Sequence, residues 1–474
     1  MLTNEKILAS QITIENRNQI GFKVLAGGSV TTIAEEYKIN REFVYSQKER
    51  IKLLVQSDKK LLEAPVVVLD KQMIEKIIIG CMLVCKGSTE DTQHFLDWVF
   101  NVWASIGKIS GVINKTASKA EEWNSSIDLG SIKIGANDEI FQGNSPVLVG
   151  VDPATTFTYL LEGTENRDST TWGYHLLEKE THQNLKLETS VNDGGPGLRK
   201  GVKDAYPDAE IQIDTFHTEY DISKAVLSSE RIAYKNINEE EKLFKNLIKK
   251  ETPENMQEYE KAVSKTNDSV KIYDTLALLY IWVIELLKIG GYFYQERLEL
   301  FGFIIVEIEK LNSKNTYLEK ALKFLKQNLC DILQFVRKAE VLMQKLAIEE
   351  NIPVEIIRKM WEQFRYSPES AKYNYLEAEI GLALGSRYED VRKKFDKLMS
   401  KIVRASSIVE CVNSLIRPYL SLKKAVPGKF LALLQFYFNT RSYRRSRRAE
   451  RIGKSPVEML TGQTYPNPLA VLGY

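Results

Sequence analysis

Cysteine and histidine are scarce in this sequence, four of each in 474 residues, and the scarcity narrows the chemistry. Cys81, Cys85, Cys330 and Cys411 form no C-x-x-C pair and have no histidine at zinc-ligand spacing. That pattern argues against a zinc site or a disulfide scaffold and fits a reducing cytoplasm. Long apolar runs are missing too: Ile77 to Cys85 and Thr275 to Ile284 are the longest, short of the roughly 20 residues that cross a bilayer. The start, Met1-Leu-Thr-Asn-Glu-Lys-Ile, lacks the charged-then-apolar signal pattern, so the expectation is a cytoplasmic protein with no membrane partner. Neither a tandem repeat nor a low-complexity tract is evident. A formal charge of +2 excludes a globally basic protein, but not local clusters.

What is present is length and patterning. The chain is too long for one average domain, so two to four units are expected. Residues 16 to 52 read as a helix-turn-helix: an amphipathic stretch, a Gly27-Gly28 break, Val30 to Tyr37, a short turn, then Arg41 to Lys48. Ala34 is the small residue at the helix contact, Ile39 the apolar plug and Val44 the buried residue of the second helix. That leaves Arg41, Tyr45, Gln47 and Lys48 to approach DNA, although Lys38 stands where glycine is usual. An ordinary helical hairpin is the alternative. Residues 60 to about 125 also read as helical, with Phe95, Trp98, Val99, Val102 and Trp103 on one apolar face and both tryptophans expected in the core. The pair around Gly107 to Trp123 is either a second DNA-binding unit or a plain linker.

From about 130 strands replace helices: Val147 to Asp152, Phe157 to Leu161, Thr171 to Leu177, Leu185 to Val191 and Ile211 to Asp214. The order expected is β-β-β-α-β-α-β. Helical pattern then runs from Glu219 almost unbroken to Pro418, with Trp282 and Trp361 expected in its core. The tail from Phe430 gives an aromatic helix (Phe436, Tyr437, Phe438), then seven basic residues and one acid, Glu450, between Arg441 and Lys454.

Three carboxylates stand out. Asp152 closes the apolar run from Pro146, which reads as a central strand. Asp193 follows another strand at a glycine-rich turn with Gly194, Gly195 and Gly197, so the two could sit side by side. Glu410 lies on a helix expected to start near Ser406 or Ser407 and end by Arg417, before Pro418. There Glu410, Asn413 and Arg417 share a face, with Val409, Val412 and Ile416 left for packing. Adjacent carboxylates repel unless a cation neutralises them. An all-oxygen set suits two magnesium or manganese ions roughly 4 Å apart, the arrangement that drives in-line displacement at a phosphodiester. Taken singly, each acid reads as an ordinary cap or turn residue.

Residues 130 to 215 and 400 to 465 resemble the DDE transposases of prokaryotic insertion sequences, with features of the Mutator-like and hAT-like branches. The resemblance is carried by Asp193-Gly-Gly-Pro-Gly-Leu198, Ala205-Tyr-Pro207 and Asp214-Thr-Phe-His217, and by the tail segments Asn439-Thr-Arg441 and Lys454-Ser-Pro456. It implies an α/β RNase H-like catalytic core with a large all-α insertion, plus an α-helical N-terminal helix-turn-helix region. The divisions expected are 1–58 (helix-turn-helix), 59–130 (helical linker or second DNA-binding domain), 131–218 (first part of the core), 219–400 (helical insertion) and 401–474 (last core helix and basic tail).

The resemblance further implies that Asp152, Asp193 and Glu410 are catalytic metal ligands for two Mg2+ or Mn2+ ions, with Asp214 and His217 as an accessory motif. A competing register makes Asp214 the second acid. Asn413, Arg417, Arg441, Arg444, Arg445, Arg447 and Arg448 are expected on DNA, both terminal inverted repeats and target, in a homodimer or larger, nucleoid-associated complex. The alternatives are a transposase-derived DNA-binding regulator and a structure-selective nuclease on the same core. None of His94, His175, His182 or His217 has an arginine three residues on, as a tyrosine recombinase would require.

Overall fold

The computed structural model describes residues 11–57, 68–311, 315–422 and 428–474; the start of the helical reading at 60 lies outside them. The chain divides into two compact units, 1–119 with 465–474, and 120–464.

In the first unit, α1 (Ile14–Leu25), α2 (Val30–Glu36) and α3 (Arg41–Ser57) are capped by Thr13, Ser29 and Asn40, whose side chains accept from the backbone N–H of Asn16, Thr32 and Phe43. Ile20, Val24, Ile33, Ala34, Ile39 and Val44 form their core. Ala34, Ile39 and Val44 therefore hold the inward positions read from the sequence. Lys38 takes the left-handed backbone (φ 52°) that glycine usually supplies in such a turn. Gly21 is required where α1 crosses α3, because a Cβ there would meet the Gln47 carbonyl at 2.6 Å.

Three more helices follow, α4 (Lys71–Leu83), α5 (Thr89–Phe100) and α6 (Ile106–Ser126). Trp98 and Trp103 are 80% and 69% exposed, a correction to the expected apolar core face. The buried residues of α5 are Thr92 and Leu96, so the inward stripe is narrower than the aromatic spacing implied. The chain end folds within this unit, with Tyr474 Oη 2.6 Å from Thr116 Oγ1 and Lys119 donating to the Leu472 carbonyl.

The second unit is built on a five-stranded sheet in the order β3-β2-β1-β4-β5. β1 (Ile134–Gln142), β2 (Ser145–Val151) and β3 (Thr158–Gly163) are antiparallel neighbours, while β4 (Thr189–Asn192) and β5 (Glu210–Ile213) run parallel to β1. Two expectations need correction. β1 is absent from the expected strands, and Thr171 to Leu177 belongs to a helix, α7 (Ser169–Gln183). Asp168 caps that helix at Thr171, and Trp172 and Leu176, one turn apart, are both fully buried. Helix α8 (Pro196–Ala205) packs on α7 through Gly201, where a Cβ would lie 2.5 Å from the Cβ of Trp172. The Tyr159 ring lies across Gly150 and Gly135, and its hydroxyl donates to Asn137.

A helical block follows β5: α9 (Thr215–Lys249), α10 (Pro253–Leu287), α11 (Tyr294–Lys310), α12 (Thr316–Ile332), α13 (Gln334–Glu349), α14 (Val354–Gln363), α15 (Ala371–Leu384) and α16 (Tyr388–Met399). Trp361 is buried as expected, whereas Trp282 is 41% exposed. The buried Arg297 guanidinium donates to the Leu286, Lys288 and Gly290 carbonyls, satisfying the carboxyl end of α10.

The chain returns to the sheet through Arg404, whose carbonyl accepts the Thr215 N–H. It continues in α17 (Ser407–Leu422) and α18 (Gly428–Thr440). Helix α17 runs through Pro418 instead of ending before it. Burial of Tyr419 and Leu420 beyond the proline offsets an interior-proline penalty of about 3 kcal/mol. Two amides of α18, Gln435 and Asn439, donate to the Thr158 carbonyl and fix that helix on β3. Among the described residues no helix is long and apolar enough to cross a membrane.

Candidate active site

β1 and β4 run parallel with Ala136 opposite Val191. Two residues further on, the same register sets Asp138 alongside Asp193, just beyond the end of β4. Gly194 (φ 88°) turns the chain away there, and its N–H donates to the Asn192 side chain. Helix α17 then lies over β1, where the fully buried Asn413 donates to Asp138 Oδ2 at 2.6 Å. One turn earlier on this helix is Glu410, paired with Arg417 at 3.1 Å.

Electrostatics bind these groups into one cluster. Burial pushes the Asp138 carboxyl up to about 7; the Glu139 N–H pulls it down, and the charges of Glu410 and Asp193 push it further up. His217 sits at the rim, raised to about 9 first by its hydrogen bond with Asp214, against burial, and then by the charges of Asp214, Asp193 and Asp138. Asp214 caps α9 through the Phe216 N–H and is 1% exposed. Burial alone would raise it, but hydrogen bonds from His217 and Ser406 jointly outweigh burial and hold it below its ordinary value. The Ser406 N–H and hydroxyl both donate to this carboxylate. Asp214 therefore anchors the base of α17.

Asp152 is elsewhere. β2 runs against β1 with Val149 opposite Asp138 and Val151 opposite Ala136, so Asp152 leaves the sheet beside the start of β1, whereas Asp138 lies at its middle. It is three residues, or about 10 Å, along the strand from Asp138's partner. Its carboxylate accepts from the Ala154 and Thr155 N–H groups and from the Thr155 hydroxyl, the role of a turn residue. The structure thus brings Asp193 and Glu410 together with Asp138 and not with Asp152.

Sequence reasoning missed Asp138 because Gly135, Asn137, Asp138 and Glu139 are poor strand formers. The available signal was Gly143-Asn144, a two-residue hairpin loop between two strand-length segments. Three other expectations shift. Asn413 is buried against Asp138 and does not face DNA; Gln47 is 6% exposed and hydrogen-bonded to Ser46 and Arg50; Arg417 is tied to Glu410. Arg41 and Tyr45 are exposed and Lys48 half-buried, while Arg441, Arg444, Arg445, Arg447 and Arg448 are all exposed.

Asp138, Asp193 and Glu410 offer oxygen donors only, as a hard divalent cation prefers, and the upward shift at Asp138 comes first from burial and then from the charges of Glu410 and Asp193, which the nearby His217 offsets in part. Among the described residues, no three histidine, cysteine or acidic side chains already stand close enough to hold an ion. Holding one would require Glu410 to turn from Arg417.

Residues 138–343 match the DDE transposase domain of the ISL3 family, described as a transposase. The matched segment begins at Asp138 and includes Asp193, Asp214 and His217; Glu410 lies beyond it. No curated protein matches the chain.

Proposed function

We propose, from the premise that this chain carries an insertion-sequence DDE transposase domain, that it is a DNA transposase performing metal-dependent strand cleavage and strand transfer at the ends of its element. The observation that carries this reading is the electrostatic meeting of Asp138, Asp193 and Glu410, from β1, the end of β4 and α17, on a five-stranded mixed sheet, as an RNase H-like core would require. These three acids would hold two Mg2+ or Mn2+ ions, which supply activation of the attacking oxygen and stabilisation of the leaving one. Asn413 fixes the Asp138 carboxylate so that one oxygen keeps its direction. His217, cationic at neutral pH and backed by Asp214, supplies positive charge beside the scissile phosphate. Arg417 holds Glu410 until phosphate competes for the guanidinium.

The helix-turn-helix at α2 and α3 reads the terminal inverted repeats through Arg41, Tyr45 and Lys48, whereas the arginines after α18 neutralise phosphates without reading sequence. Joining two ends requires a homodimer or larger assembly. The test is incubation of the full chain with its element ends and Mg2+ or Mn2+. Cleaved and joined products that vanish with Asp138→Asn support the proposal. Tight binding without cleavage would favour a DNA-binding regulator, and cutting of branched junctions without joining would favour a nuclease.

A further inference from the structure

The arginine-rich segment, expected on DNA from the sequence, is a closed, folded loop. Tyr443 bridges to Ile452, its N–H donates to the Lys454 carbonyl, and the Gly453 N–H returns to the Tyr443 carbonyl. Between these ties lie Arg444, Arg445, Arg447 and Arg448, all exposed. Among the described residues none of the four forms an ion pair.

The loop is fastened at two points, both on the turn that Asp152 shapes. Arg451, 8% exposed, donates to the Ala154 carbonyl at 2.9 Å and to the Pro153 carbonyl at 3.3 Å. The Tyr443 hydroxyl shares a hydrogen bond with the Thr156 hydroxyl. Those carbonyls point at Arg451 because the Asp152 carboxylate gathers the Ala154 and Thr155 N–H groups on the other side of the same turn. A buried guanidinium is costly unless paired, and here Nη2 is received by two backbone oxygens of the turn while Nε is buried without a partner, which ties the loop's position to the turn's shape.

We infer that the Asp152 turn is the footing of a preformed phosphate-binding loop, on which Arg451 and Tyr443 hold Arg444, Arg445, Arg447 and Arg448 as a fixed surface for the sugar-phosphate backbone of DNA. The inference rests on the transposase reading for its ligand. It adds that Asp152 acts on DNA binding through the loop and takes no part in the acid cluster, and that the grip is built before DNA arrives. Pre-organised arginines lose less conformational freedom on binding than a loose tail would. The turn that carries the loop follows β2 beside the start of β1, whereas Asp193 aligns with Asp138 in the middle of that strand, so the loop and the acids would meet a duplex at separate points.

The experiment measures binding of the full chain to a labelled DNA duplex unrelated to the element, in EDTA, across a salt series. The quadruple change of Arg444, Arg445, Arg447 and Arg448 to Ala should make the slope of log affinity against log salt shallower by about three to four, at about 0.9 per lost phosphate contact. Asp152→Asn and Arg451→Met, which keep all four arginines, should each flatten the slope by about one to two. Arg451→Lys, which keeps a donor for the Ala154 carbonyl, should recover part of the loss. The melting temperature should fall modestly in Asp152→Asn, as three hydrogen bonds to a buried carboxylate weaken, while its rise with Mn2+ should be unchanged.

An unaltered slope in the quadruple variant would overturn the proposal. So would an Asp152→Asn protein with a normal slope, or one that loses its response to Mn2+. Because nothing here is cleaved, the outcome does not depend on whether the chain cuts DNA.

Discussion

Asp138 lies on β1 and Asp152 just past the end of the neighbouring β2, yet their surroundings differ in kind. Asp152 has a donor for each oxygen within its own turn and fastens local structure. Asp138 has one backbone donor and one amide, is largely buried, and faces two further carboxylates; its carboxyl is pushed up to about 7. An acid satisfied by its own neighbours serves the fold, whereas one crowded by like charges from distant segments costs stability and marks function.

Asp138→Asn breaks this comparison most sharply. It should lower strand cleavage about 10³-fold or more, equivalent to about 4 kcal/mol of lost transition-state stabilisation, measured on element ends with Mg2+. Asp152→Asn should lose cleavage only in proportion to its weaker grip on DNA. The next effect is at Asn413→Leu, which frees the Asp138 oxygen and should weaken Mn2+ affinity about 10- to 100-fold, read from the metal dependence of the melting temperature.

Acidity sharpens the contrast further. The folded pKa of Asp138 is raised, so its contribution to metal-free stability is present below the ordinary value of 3.8 and is lost as pH rises through about 7. A cation reverses that loss, and the Mn2+-induced rise in melting temperature should be larger at pH 8 than at pH 6. His217 is also raised, so its stabilisation is present below 6.5 and lost as pH rises through about 9. His217→Gln should therefore cost about 1.5–3 kcal/mol at pH 6 and little above pH 9, as denaturant melts at the two values would show. The smallest effect is at Lys38→Gly, which should stabilise the first unit by about 1 kcal/mol by relieving the left-handed residue.

The acids that the fold gathers near Asp138 are those whose signals in the sequence are local. Asp193 is betrayed by its glycines, the Asp214 and His217 pair by its spacing, and Glu410 by a helix face whose apolar members Val409, Val412 and Ile416 are buried. β1 was illegible because its polar residues find partners only after folding. Asn137 meets Ser190 and Tyr159, and Glu139 meets Trp172 and Arg167. Without that strand the first-strand role falls to β2, and with it the candidate first acid to Asp152. The compensating error was a third strand placed where Trp172 and Leu176 make a helix.

Ser406 reaches Asp214 across 192 positions of chain, and the entropy of closing such a span grows only logarithmically, by about 0.6 kcal/mol per doubling. The eight helices between can therefore lengthen, shorten or exchange surfaces while the junction that aims Glu410 stays in place. Evolution is free to remodel what the excursion touches without re-inventing the hinge that closes it.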